Sequence, residues 1–211
     1  MMFLEQRVTI DMNKPTYEEF LKTVADHRIT ILLDTGLYRH IRCEQPGTRN
    51  HYFDLVTWPG SLAYTGDMGS FMFSSSSDMF AFFRLDVEWT RINPQYWGEK
   101  LQAVDKNEGH LEYSREKLIY MCQEHMGELV DSMTEDKWSK VNQAIEAEVT
   151  YADNLDDAHT LLRKFKVDGK HFFRDTWEWK LKDHTARYIW ACYAIVHAIG
   201  MYDAIKPSQD V

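Results

Sequence analysis

The chain has 211 residues, 44% hydrophobic and 14% aromatic, which is ample apolar side chain for a packed core and excludes global disorder. A formal charge of −9 with a pI near 5.4 excludes a protein that grips nucleic acid through an excess of Lys and Arg. Three scattered cysteines (Cys43, Cys122 and Cys192) exclude a disulfide framework and point to a reducing compartment.

The N-terminal MMFLEQRV lacks the basic stretch and apolar run of a secretory leader. Thr16-Tyr17-Glu18-Glu19, after Lys14-Pro15, is a capping-box pattern that opens a helix to about His27, with Phe20, Leu21 and Val24 inward. Residues 29–34 and 37–44 read as a hairpin around Thr35-Gly36, closed by Gln45-Pro46-Gly47. The stretch 51–84 then carries the tightest turn chemistry of the chain. Phe53, Leu55 and Thr57 alternate with Tyr52, Asp54, Val56 and Trp58, as a half-buried strand requires. Pro59-Gly60 supplies a type II turn, and Leu62 and Tyr64 mark the return strand. Gly66-Asp67-Met68-Gly69 makes a second reversal, with a glycine at each end to take positive φ, and Phe71 and Phe73 share a face of the strand that follows. Ser74 to Ser77 are candidate N-caps for a short apolar helix bearing Met79, Phe80, Phe82 and Phe83, with Asp78 favourable at its N-terminus.

Beyond Arg84, Pro94 opens a short segment with Trp97 and Leu101, followed by a polar loop at 107–109. Helical spacing recurs over 114–130 (Leu118, Ile119, Met121, Cys122, Met126, Leu129) and, recapped at Met133-Thr134-Glu135-Asp136, to about 149 (Trp138, Val141, Ile145). A third helix spans 155–165 and ends near Gly169. Residues 172–182 are rich in rings; on a strand, Trp177 and Trp179 would share a face. The apolar run 188–202 is too short and too histidine-bearing to span a bilayer, and reads as a buried helix within 183–205. From Pro207 the chain looks loose. The expected fold is α+β: an antiparallel meander of four or five strands from about 1–75, packed against C-terminal helices from about 76–206, in one domain over 1–211.

No G-x-S-x-G, phosphate loop or Cys/His catalytic signature is present, so no catalytic residue is assigned. Cys122-x-x-His125 and Asp156-x-x-His159 each place two ligand types one helical turn apart, but neither has a partner pair at a recognised spacing; no metal or cofactor is assigned. Two surfaces remain. His40, Arg42, Arg49 and His51, with Trp58 at the turn and Arg84 after the helix, group cations beside a ring, as an anionic planar ligand such as a nucleotide requires; the plainer reading is the outer face of a half-exposed sheet. Charge marks the other. Residues 1–75 hold 7 basic and 9 acidic side chains, 76–158 hold 8 and 18, and 159–211 hold 9 and 6. Glu112, Glu116, Glu124 and Glu128 recur at helical spacing, followed by Asp131, Glu135 and Asp136, although Arg115 and Lys117 stand among them. Such a surface imitates a nucleic-acid backbone, or is simply a set of solvated helix faces.

DLVTWPGSLAYTGDMGSFMF followed by DMFAFFR resembles a family of small proteins of about this length encoded in tailed phages and prophages. GLYRHIRC before it, and DTWEW and YIWACYAIVHAIGMYD after it, fit the same family, so the resemblance covers nearly the whole chain. It implies a phage accessory protein acting in the host cytoplasm, and small acidic accessory proteins of this kind often inhibit host defence. The leading expectation is therefore stoichiometric, anti-CRISPR-like binding of a basic host complex that handles nucleic acid, with no direct nucleic-acid or membrane binding and with a homodimer possible. A nucleotide-sequestering module comes second, and an enzyme modifying a host factor third.

Overall fold

The structure, a computed structural model, describes residues 14–84 and 92–206. The tail expected to be loose from Pro207 onward lies outside the described residues. The described residues divide into two compact units, one from 14–84 and 92–110 with 184–206 and the other from 111–183.

The first unit holds a six-stranded antiparallel meander: Arg28–Thr35 (β1), Tyr38–Glu44 (β2), Phe53–Trp58 (β3), Ser61–Gly66 (β4), Gly69–Ser74 (β5) and Leu101–Ala103 (β6), paired in that order. Five of these are the strands the alternation predicts. The sixth joins Met72 and Phe73 after the chain has passed through the helices Met79–Arg84 (α2) and Pro94–Gly98 (α3). Three residues are too few to show a period. At the β1 edge a bulge at Leu32 interrupts the register, which blunts an edge where Leu32 and Leu33 are about half exposed.

One face of the sheet is fully apolar. Ile41, Phe53, Leu55, Leu62, Tyr64, Phe71 and Phe73 are buried there against the helix Ala186–Ile205 (α7), capped by Thr185. The Trp190 ring meets Phe53 edge-on at 5.7 Å and Tyr188 meets Phe71 at 5.3 Å. Ala191, Ala194 and Ala198 are completely buried, and such small side chains let a helix approach closely. Among the described residues α7 is the one helix long and apolar enough to cross a membrane, and most of it is buried in this core. The first helix, Tyr17–Thr23 (α1), begins with the expected reciprocal capping box between Thr16 and Glu19. It ends earlier than its pattern predicts, and Leu21, expected inward, is exposed; Phe20 makes the contact, 5.1 Å from Trp190.

Two local expectations are corrected. The α2 cap is Asp78, whose Oδ1 accepts from the N–H groups of Phe80 and Ala81, whereas Ser74 Oγ donates to the Gly60 carbonyl and ties β5 to the β3–β4 turn. Asp78 also accepts both arms of Arg39, at 2.8 and 3.1 Å, a guanidinium on the buried face of β2 that lies over the Phe80 ring. Burial would raise the Asp78 carboxyl, but Arg39 and the two N–H groups outweigh it and hold it below the usual carboxylate range. Gly66 does not take positive φ, unlike Gly60 (81°) and Gly69 (100°). It is needed because Phe53 of β3 sits directly opposite, with no room for a Cβ between them.

The second unit is mainly helical: Arg115–Glu128 (α4), Glu135–Glu148 (α5) and Leu155–Lys164 (α6), capped by Ser114, Thr134 and Asn154. Its own core gathers Leu118, Cys122, Met126, Val141, Ile145, Leu162, Phe165 and Phe173. The ring-rich stretch is no strand at its tryptophans. Asp175 turns into the left-handed region (φ 51°) and a 3-10 turn follows at Thr176–Glu178. That turn separates the two rings: Trp179 packs on Phe173 at 5.4 Å, while Trp177 is 74% exposed.

Candidate functional site

The structure disperses the cationic group read from the first half of the chain. His40 and Arg42 point to the outer face of β2, and Trp58 to the same face of β3, because Asp54, Val56 and Trp58 alternate with the buried Phe53, Leu55 and Thr57. Arg42 spends both arms on Asp54, with Nε and Nη2 each at 2.8 Å, and His40 Nε2 lies 3.3 Å from the same carboxylate. Burial alone would raise the Asp54 carboxyl; the bonds from Arg42 and the nearby His40 prevail and hold it low. Arg49 lies over the Tyr52 ring at 4.6 Å, and the His51 ring stacks on Trp190. Arg84 is paired through two hydrogen bonds with Asp203 of α7, and its guanidinium approaches the Phe80 ring, which places it on the helix-covered side of the sheet. His40, Arg42 and Trp58 therefore share a face that Arg84 does not, and both arginines already hold carboxylates.

The acidic residues are brought together more fully. Glu116, Glu124 and Glu128 are exposed along one side of α4, with Tyr120 on the turn between the first two, and Asp131 continues their line in the 3-10 turn at Val130–Ser132. Among the described residues, neither Glu124 nor Asp131 has a cation within pairing distance, and Glu128 has only His125, at 3.9 Å. Arg115, which stands among them in sequence, is turned away to the carbonyls of Tyr151 and Ala152 and to Asp153. Lys117 is half-buried. Tyr120, 42% exposed, stands between Glu116 and Glu124, and Val130, 51% exposed, lies beside Asp131. Glu112 is exposed on the short strand Leu111–Tyr113. Glu135 and Asp136 occupy the first turn of α5, where the helix dipole favours them, and Asp136 pairs with Lys140 at 2.7 Å. Those two serve the helix, as Glu116 also does in the first turn of α4, where it accepts from Ser114 Oγ at 3.0 Å; the rest of the α4 face is the acidic surface left open.

The ligand-like pairs fare differently from each other. Cys122 is buried, and His125 is ringed by Phe172, Phe173 and Trp179 with Nε2 at the Phe172 carbonyl, so that pair belongs to the core. Asp156 and His159 line an open cleft of about 750 Å³ instead. Sequence reasoning missed this cleft, because its two walls come from separate stretches and its cations follow no motif.

Compared with known families, curated proteins and solved structures, the chain matches none. The site geometry is therefore the basis for a functional reading.

Proposed function

We propose that this chain is a phage accessory protein that acts by stoichiometric binding in the host cytoplasm. It docks the acidic α4 face onto a basic, nucleic-acid-handling complex of the host's antiviral defence and blocks it, in the manner of an anti-CRISPR. The observation that supports this reading is the composition of that face: Glu116, Glu124, Glu128 and Asp131 around Tyr120 and Val130, with Arg115 turned out of it. Clustered carboxylates steer a basic partner by long-range attraction. A tyrosine and an aliphatic side chain supply the desolvated contact that charge alone lacks.

The test compares wild type with E116K/E124K/E128K in a plaque assay on a host carrying an active defence system, alongside retention of that system's purified effector at low and high salt. All three positions are exposed, but Glu116 also accepts from the cap Ser114 at 3.0 Å, so E124K/E128K is run beside the triple variant and unfolding temperatures equal to that of wild type separate lost binding from lost fold. Wild type is expected to restore plaquing and to bind the effector in a salt-sensitive way, and the variant to do neither. Protection and binding that survive the triple reversal would refute the reading.

A further inference from the structure

The cleft in the second unit has chemistry that the acidic face does not use. One wall is a stripe of α6: Asp156, His159, Thr160 and Arg163 stand at i, i+3, i+4 and i+7, which places them on one helix face. The other wall is the turn carrying Arg174, Asp175, Thr176 and Trp177, with His171 at its start and Phe173 as an apolar floor. The two walls are fastened at one corner, where His171 Nδ1–H donates to the Arg163 carbonyl at 2.8 Å. That bond fixes the tautomer and leaves Nε2 available to a ligand.

The arginines decide what this cleft suits. Among the described residues, no carboxylate lies within ion-pairing distance of Arg163 or Arg174, although Asp156 and Asp175 line the same cleft. The smaller groove along α5, about 350 Å³, is the contrast: its Lys137 is paired with Asp168 and its Lys140 with Asp136. The cleft also lies almost wholly in the segment 159–211, where basic residues outnumber acidic ones 9 to 6 in a chain that is otherwise acidic. Trp177 adds a large exposed ring beside these cations.

We propose that the cleft between α6 and the His171–Trp177 turn is a binding site for a free nucleoside monophosphate. Arg163 and Arg174 would hold the phosphate, and the Trp177 ring would stack on the base. Asp156 and Asp175 would accept hydrogen bonds from sugar hydroxyls or base N–H groups. These carboxylates disfavour a bare anion, so the site selects a ligand bearing donors and a planar ring as well as negative charge. The volume lies within the range of small-molecule pockets.

The experiment is calorimetric titration of the full chain with AMP, GMP, CMP and UMP, with inorganic phosphate and adenosine as component probes. At least one mononucleotide is expected to bind with a Kd below about 1 mM. R163A/R174A should weaken that binding by about tenfold or more. W177A should weaken it several-fold and remove the ligand-induced change in tryptophan fluorescence. All three side chains are exposed, so unchanged unfolding temperatures are expected and separate lost binding from lost fold. No binding by any of the four nucleotides, binding indifferent to R163A/R174A, or inorganic phosphate binding as tightly as the nucleotide would each overturn the proposal.

Discussion

Gly66→Ala tests the account of the sheet most sharply, because two explanations for a glycine predict different outcomes. A Cβ at position 66 would fall well inside van der Waals contact of the Tyr52 carbonyl oxygen and 2.8 Å from both Cα and Cβ of Phe53. These are backbone and near-backbone atoms that cannot swing aside. The Tyr52 carbonyl also accepts the Asp67 N–H at 3.0 Å, so moving it loosens the bond that closes the β4–β5 turn onto β3. Phe53 is fully buried between Tyr64 and Trp190, so displacing it passes into the core. Overpacking of this kind costs about 1–3 kcal/mol, and a weakened hydrogen bond about 1 more. A loss of roughly 3 kcal/mol lowers Tm by about 6–12 °C for a chain of this size. Gly60→Ala is the control. Gly60 has φ +81° with nothing within 4 Å of its Cβ position, so alanine there bears only the left-handed penalty of about 1–2 kcal/mol. Scanning calorimetry of both variants decides the matter. A Gly66→Ala protein as stable as Gly60→Ala would refute close approach as the reason for this glycine.

Asp78→Ala removes a helix cap and leaves the Arg39 guanidinium without its carboxylate on the buried face of β2; a loss of about 3 kcal/mol is expected in urea unfolding, and a change below 1 kcal/mol would contradict the double role. Acid should act in two stages. Burial holds the His27 and His197 imidazoles below their ordinary value, so the unfolded chain takes up protons first: stability is full above about pH 6.5 and falls as pH drops from there toward the folded values. The second stage begins near pH 4, where the unfolded chain's Asp54 and Asp78 take up protons while their folded carboxyls, held low, do not, and stability is lost as pH falls on through the folded values. A urea midpoint that stays flat between pH 7.5 and 5 would count against the histidine stage. Burial also pushes the Cys43 and Cys122 thiols up to about 12 and the Cys192 thiol higher still. Ellman's reagent should therefore find almost no reactive thiol in the native protein and all three after denaturation; fast native labelling of any of them would place that cysteine outside the core.

Short-range signals were legible in the chain by itself. The capping box at Thr16–Glu19, the cap at Thr134, the turn at Pro59-Gly60 and the alternation through Phe53, Leu55, Leu62, Tyr64, Phe71 and Phe73 each lie within a few residues, so sequence determined five strands, most helices and the α+β class. The buried character of α7 was legible for the same reason, since a helix apolar on every side has to be covered. The acidic α4 face followed from helical spacing, but only the fold showed Arg115 leaving it. What remained depends on residues distant in sequence meeting in space. Arg84 finds Asp203 across 119 positions, and Arg42 finds Asp54 on the neighbouring strand, which engages cations that sequence alone left available to a ligand. Gly66 looks like a turn glycine until Phe53 is placed opposite it. The cleft likewise exists only because a left-handed Asp175 folds Arg174 and Trp177 back toward the α6 stripe. Periodicity reports which face of an element is buried, whereas the partner each exposed charge meets is decided by chain reversals that leave no local pattern.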